Sequence, residues 1–399
     1  MNEMSPEGKL KGAAPAIPFD HTKLDRLMEE ADLDVLIVSS KHNVAYLLGG
    51  YRFFFFDFMD AIGVSRYLPI FVYVRGQPER SIYIANTMES YEKELGRFWL
   101  PNVITGTWGT QDAMKKALEH VKSLDRAPRR IGIEAAFLPM DAYKMLADSV
   151  QNCAIVDALV PLERLRARKT KEELAIVRKA SEGVIDSMLA VIASHGPGTT
   201  KHQLAEALKR EETARGLTFE YCLCTVGTSL NRAPSDDVWK KGEIASLDSG
   251  GNYKGYVGDL CRMAILGDPD QELQDMLGEI EAIQQAARKP IRPGAVGQQI
   301  FTAGIAMKDK CKYKEHTVFV AHGMGLITHE APRLTSTGPV PYAGDDANKP
   351  LEEGMVISIE TTLLHPKRGF IKLEDTIAVT ATGYEAYGDS GRGWNRGKV

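Results

Sequence analysis

The chain has no run of about eighteen consecutive apolar residues, so no membrane-spanning helix is expected. It also lacks a bias of charge: 49 Lys and Arg against 53 Asp and Glu leave a formal net charge of −4. The two signs are well mixed, whereas a nucleic-acid binder would show a basic face or stripe. Cysteine is scarce, and Cys153, Cys222, Cys224, Cys261 and Cys311 are odd in number and scattered. That pattern suits buried thiols in a reducing cytoplasm better than a disulfide framework. Cys222 and Cys224 stand one residue apart, too close for the usual zinc or redox spacing, and are read as core residues. The opening MNEMSPEGKLKGAAPAIPF lacks the charged, apolar, then small-residue order of a secretory signal. These absences together point to a cytoplasmic protein with neither a nucleic-acid nor a membrane partner.

What is present is a composition with 44% hydrophobic and 26% charged residues, ordinary for a globular protein. A length of 399 residues exceeds what one core usually serves, so two domains are expected. Residues 1–20 read as a flexible lead. From 21 to 162, short apolar runs (Val35 to Val38, Ile70 to Val74, Ile82 to Ile84, Ile131 to Ile133) alternate with helical patterns at Leu24 to Ala31 and Gln111 to Leu124. That alternation predicts an α/β domain. Within it, Tyr51 to Phe58 (YRFFFFDF) reads either as a core strand or as a cap over a site or subunit interface. A boundary falls near 163, where Thr170 and Glu173 form a capping box ahead of a helix with Leu174, Val177, Val184, Met188 and Ile192 on one stripe. The second domain is expected to run from 163 to 390, with 391–399 as a tail. Its two helix pairs, each followed by strand-like segments, are compatible with a duplicated half.

The chemistry concentrates in Ser246 to Arg262, SLDSGGNYKGYVGDLCR. Asp248 and Asp259 flank the turn-formers Gly250, Gly251, Asn252 and Gly255, which predicts two strands joined by a tight turn. Two carboxylates brought together on one sheet face repel, and a cation is the simplest remedy. Further candidates follow downstream. His322 precedes Gly323 and Gly325, with His329 seven positions on; Glu360 and Glu374 each interrupt an apolar, strand-like run. Four carboxylates with one imidazole suit manganese, cobalt, iron or zinc in a working site better than a structural zinc. Their charge balances two divalent ions, a set that activates water for hydrolysis. His329 is placed to bind a developing oxyanion or to move a proton.

The series Asp248, Asp259, His322, Glu360, Glu374 resembles the five-ligand signature of the pita-bread metallopeptidases, which include methionine aminopeptidase, prolidase and aminopeptidase P. The motif-bearing segments are YKGYVGDLCRM, HGMGLITHEAP and KLED, and upstream HNVAYLLGG resembles the N-terminal domain of the prolidase and creatinase branch. The resemblance implies an α+β protein: a C-terminal pita-bread domain of duplicated α/β halves behind a smaller α/β domain. It implies two divalent ions, manganese foremost, with Asp248 on one, Asp259 and Glu374 bridging, and His322 and Glu360 on the other. Catalytic roles then fall to His329, Glu360 and Glu374. Arg52, Phe53 and Phe54 become candidates for capping the substrate, and a homodimer is implied. Three departures stand out. Seventeen residues before Asp248 the peptidases carry a substrate-binding histidine, and here the residue is Asn231, which cannot shuttle a proton at neutral pH. Lys372 replaces the arginine of RxED and loses its planar fork, and Thr361 replaces a proline. The expected activity is therefore an Xaa-Pro dipeptidase or aminopeptidase. The alternative is a hydrolase or lyase of small molecules on the same fold, in the manner of creatinase, ectoine hydrolase or dimethylsulfoniopropionate lyase.

Overall fold

A computed structural model of the chain describes residues 16–58, 63, 66–335 and 344–398, with the side chain of residue 56 not described. Most of the expected flexible lead, residues 1–15, lies outside the described residues. The chain divides into two compact units, one ending at Leu165 and the other beginning at Arg166.

The first unit is a six-stranded sheet formed by β1 (Val35–Val38), β2 (Ile70–Val74), β3 (Ile82–Asn86), β4 (Val103–Thr107), β5 (Arg130–Ile133) and β6 (Ala154–Asp157), in the order β4-β3-β2-β1-β5-β6. Both faces are covered, which is why its central strands read as unbroken apolar runs. Leu36, Val38, Phe71 and Tyr73 pack with Leu24, Leu27 and Met28 of the helix His21–Glu30. The alternate residues Val35, Ile37, Ile70 and Val72 pack with Ala113, Met114 and Ala117 of the helix Thr110–Lys122. The aromatic run is not a strand. Phe54–Phe58 forms a 3-10 turn, with Phe53 buried against Tyr67 while Phe54 and Phe58 are exposed. A run this rich in aromatic rings cannot bury all of them from one short turn.

The second unit carries an eight-stranded sheet: β7 (Thr218–Val226), β8 (Ile244–Tyr253), β9 (Tyr256–Ile265), β10 (Thr317–Gly323), β11 (Val356–His365), β12 (Gly369–Val379), β13 (Tyr384–Tyr387) and β14 (Asn395–Arg396). Its main order is β10-β11-β12-β9-β8-β7, with β13 added to β12 and β14 added to β9. Residues 395 and 396, within the expected tail, thus pair in parallel with Ala264 and Ile265. The helices Lys171–Ser194 and Lys201–Ala214 precede β7 to β9, and the helices Gln271–Arg288 and Gln298–Lys308 precede β10 to β12. This repeated order is the duplicated arrangement. The long helix begins as its sequence specifies: Thr170 accepts from the Glu173 N–H and the Glu173 carboxylate accepts from Thr170 N–H.

The helices cover one face of the sheet. Leu247 and Leu260 pack with Val184, Ile185 and Met188, Ile359 packs with Ile283 and Ala287, and Leu373 packs with Met276 and Ile280. Each of those strand residues is the immediate neighbour of Asp248, Asp259, Glu360 or Glu374. Because side chains alternate along a strand, the four carboxylates are turned to the opposite face.

Candidate metal centre

Register brings the site together. β8 and β9 form an antiparallel hairpin in which Tyr253 faces Tyr256 across Lys254 and Gly255. Both turn residues have positive φ, 50° and 94°, as a two-residue hairpin turn of the primed type requires. Gly250 and Gly251, read from sequence as turn-formers, lie inside β8 instead. At Gly250 a Cβ would stand 2.4 Å from the Tyr221 ring, so the glycine admits that ring over the sheet. Asp248 pairs with Cys261, Gly250 with Asp259, Cys261 with Glu374, Glu374 with Glu360, and Ser358 with His322. Directly paired residues share a face, so the five candidate ligands occupy one face across five consecutive strands, β8, β9, β12, β11 and β10. Asp248, Asp259, His322 and Glu374 are buried, and Glu360 is half-buried.

Within this face, one donor atom each of Asp259, His322 and Glu374 lies within 4.8 Å of the others. His322 Nε2 is buried and makes no hydrogen bond among the described residues; the nearest carboxylate oxygens among them are Glu374 Oε1 at 3.7 Å and Glu360 Oε1 at 4.0 Å. Such an atom, aimed into a set of carboxylates, has the character of a metal ligand. Burial would push the His322 imidazole down, but Glu374, Glu360 and Asp259 outweigh it and raise it to about 9. Burial, with the Glu374 and Asp248 carboxylates next in weight, pushes Asp259 well above the usual carboxylate range. A cluster so short of positive charge fits a divalent cation at these three residues.

The other half of the face is different. The Lys372 ammonium, with only 5% of its side chain exposed, contacts Asp248 Oδ2 at 2.7 Å, Glu360 Oε2 at 2.6 Å and Glu374 Oε2 at 2.7 Å. Arg232 donates to the same Asp248 oxygen, and its guanidinium lies 5.0 Å from the Phe370 ring centroid. Glu374 is therefore held below its usual range, because Lys372 and His322 together outweigh the effect of burial. Tyr221 donates to Asp259 Oδ1 at 2.6 Å and Ser358 to Glu374 Oε1 at 2.8 Å, each fixing one carboxylate. The His329 ring stacks on His322 with centroids 3.8 Å apart, and burial, followed by the neighbouring His322, lowers it to about 4, which leaves it neutral at pH 7.

Asn231 is exposed, and its side-chain oxygen accepts from Ala233 N–H at 3.1 Å within its own loop. The cation that reaches Asp248 from this loop is the next residue, Arg232. Arg52, Phe53 and Phe54 belong to the N-terminal unit, where Arg52 pairs with Asp57. Tyr221, Arg232 and Ser358 were not singled out in the sequence. Tyr221 sits in an apolar strand that disguises it, and Arg232 is marked only by its place beside Asn231.

An eight-stranded sheet with duplicated helix pairs on one face and a carboxylate and histidine centre on the other defines a protein of the pita-bread fold. Residues 175–381 match metallopeptidase family M24, and residues 21–168 match the creatinase/prolidase N-terminal domain. The chain belongs to metallopeptidase family M24. The Xaa-Pro dipeptidase of Pyrococcus horikoshii is 25% identical over 377 residues, covering 90% of this chain and 94% of that protein. The probable dipeptidase PepE of Mycobacterium tuberculosis is 30% identical over 229 residues, 56% of this chain and 58% of that protein. An Xaa-Pro dipeptidase structure from Bacillus anthracis superposes with a TM-score of 0.78 at 20% identity, covering 94% of this chain and all of that one (100%). The N-terminal domain of the FACT complex subunit SPT16 from chickpea does so with a TM-score of 0.72 at 13% identity, covering 95% and 100%. At these identities the two structural likenesses speak for the fold alone.

Proposed function

We propose that this protein is a metal-dependent hydrolase that cleaves Xaa-Pro dipeptides or the N-terminal residue of Xaa-Pro peptides. The observation that carries the reading is the buried triad of Asp259, His322 and Glu374 on a fold of this family, with the unpartnered His322 Nε2 aimed into it. Asp259, His322, Glu374 and, in the wider set, Asp248 and Glu360 are the residues that would hold divalent metal, manganese foremost, with cobalt, zinc or iron as alternatives. When bound, such a metal supplies Lewis-acid polarisation of a carbonyl and acidifies a water molecule. The chain's own groups do the rest. Glu360, the carboxylate of the set with most exposure, is placed to accept the proton of the attacking water. Neutral His329 retains a ring N–H to offer a carbonyl oxygen as negative charge develops on it. Tyr221 and Ser358 keep the Asp259 and Glu374 carboxylates from rotating away.

The test is hydrolysis of a panel of Xaa-Pro dipeptides by the full chain supplied with Mn²⁺. Turnover that Asp259→Ala abolishes is the expected result. No turnover of any proline peptide by metal-loaded protein would sink the reading. A second reading, a hydrolase or lyase of small molecules, is favoured by one specific feature. Where the peptidases place a histidine, this loop turns Asn231 outward and sends Arg232 to Asp248. A small amide or zwitterion turned over in place of peptides would select it. By the same family resemblance the working form is a homodimer in a reducing compartment, consistent with five free thiols. Light scattering checks the dimer. Among the described residues, no helix is long and apolar enough to cross a membrane.

A further inference from the structure

We propose that the Lys372 ammonium is a built-in cation that fills one of the two cation positions of the carboxylate cradle. On this view the chain holds one divalent ion, at Asp259, His322 and Glu374, where the family resemblance implies two. The inference rests on the metal-centre reading above and concerns how many ions that centre takes.

An ammonium has three donors, and the Lys372 Nζ has three carboxylate oxygens at 2.6 to 2.7 Å, one each from Asp248, Glu360 and Glu374. These oxygens surround it much as they would surround an ion. A first-row divalent metal approaches carboxylate oxygen to about 2.0–2.2 Å, so it cannot share the same three oxygens with an ammonium group. Lys372 stands two residues before Glu374 on β12, which puts its side chain on the ligand face by strand alternation alone. Withdrawing it would leave a long cationic side chain to be accommodated elsewhere in an almost completely buried setting. Arg232 adds a second positive charge at the same Asp248 oxygen.

The charge count agrees. In the forms that ligate a metal, with the His322 imidazole neutral and every carboxylate ionised, Asp248, Asp259, Glu360 and Glu374 contribute four negative charges, and Lys372 and Arg232 contribute two positive ones. The remainder, −4 + 2 = −2, is balanced by one divalent ion rather than two. The close donor triad among the described residues is also the half that Lys372 leaves open: it includes Asp259 and His322 and omits Asp248 and Glu360.

The experiment measures bound metal per chain on the full protein, stripped with chelator, reloaded with excess Mn²⁺ or Co²⁺, desalted and analysed by atomic emission. The expected result is one ion per chain in the wild type and two in Lys372→Met, where an apolar side chain of similar length vacates the position. Two ions in the wild type overturn the inference while leaving the metal-centre reading intact. One ion in both proteins likewise overturns it, because Lys372 then blocks nothing. Should Lys372→Met fail to fold, Asp248→Asn decides: stoichiometry unchanged at one supports the inference, and loss of the single ion overturns it. No ion in the wild type overturns this inference and the metal-centre reading together.

Discussion

Glu360 and Glu374 face each other directly across β11 and β12, a pairing that like charges would normally destabilise. Everything else at residue scale follows from how that repulsion is answered. Lys372 answers it on one side, and the unpartnered nitrogen of His322 marks the other side as a place for a metal. Tyr221 is the clearest test of the supporting groups. Burial and the Asp259 carboxylate hold its phenol well above its ordinary range, so it acts only as a donor. Tyr221→Phe should weaken Mn²⁺ affinity by roughly 10- to 100-fold, the usual cost of losing a hydrogen bond to a ligating group, as read by metal titration. His329→Ala should leave metal content unchanged and lower kcat by about 10²- to 10³-fold, the scale of a lost oxyanion donor. A fall in metal content would instead make His329 a support for His322, on which it stacks. Lys372 was visible in the sequence only as a departure from RxED. Its three contacts could not be read there, because two of the three carboxylates come from other strands.

At the scale of elements, the β8 and β9 hairpin was legible because turn-formers, Gly255 among them, stand between two strand-like segments, although the turn itself is only Lys254 and Gly255. The interior glycines were misread for a physical reason: a glycine at a close approach of packed groups looks the same in sequence as a glycine in a turn. Gly258 belongs to that class too, since a Cβ there would stand 2.7 to 2.8 Å from the backbone of Ala180 and Ser181 in the long helix. Behind the site, Asp375 points to the helix side of β12. There it meets Arg262 at 2.8 Å, Arg288 at 3.0 Å and also Arg392, while Arg262 donates to the Glu374 carbonyl at 2.9 Å. This buried network ties β9, β12 and the helix Gln271–Arg288 together. Asp375→Ala removes the one carboxylate that all three arginines share, leaves Arg262 with backbone carbonyls alone, and should cost about 3–5 kcal/mol in urea unfolding. A change below about 1 kcal/mol would show that the arginines find other partners.

At the scale of the whole molecule, each hydrophobic cluster draws its residues from one compact unit, with the N-terminal clusters reaching no further than Leu165 and the others starting at Ala167. A pH dependence of stability is built into the second unit at Glu212. Its Oε2 has no hydrogen-bond partner among the described residues, and the one proton of the Ser249 hydroxyl is claimed by both Glu212 and the Tyr221 carbonyl. A protonated Glu212 resolves the conflict by donating to Ser249, and burial raises its pKa to about 8 from an ordinary 4.5. Between those values the folded chain holds a proton that the unfolded chain has released. Stability is therefore full below that window and declines as pH rises through it. Relative to Glu212→Gln, the wild type should lose roughly 2–5 kcal/mol between pH 5 and about 9 in urea titrations at fixed ionic strength. Parallel curves for the two proteins would exclude Glu212 as the source.

The sequence by itself marked the alternation of helix and strand in both halves, the capping of the long helix at Thr170, and the five residues read as candidate metal ligands, because periodicity and residue chemistry are local properties. It also determined that position 231 is not a histidine. Only the tertiary structure decided which oxygen faces which cation. Register across β8, β9, β12, β11 and β10 gathers residues more than a hundred positions apart onto one face. There a lysine two residues from Glu374 comes to rest among the carboxylates, where an ion would otherwise be expected. Pairing of distant strands is a non-local quantity, and the charge balance of the site exists only once that pairing is made.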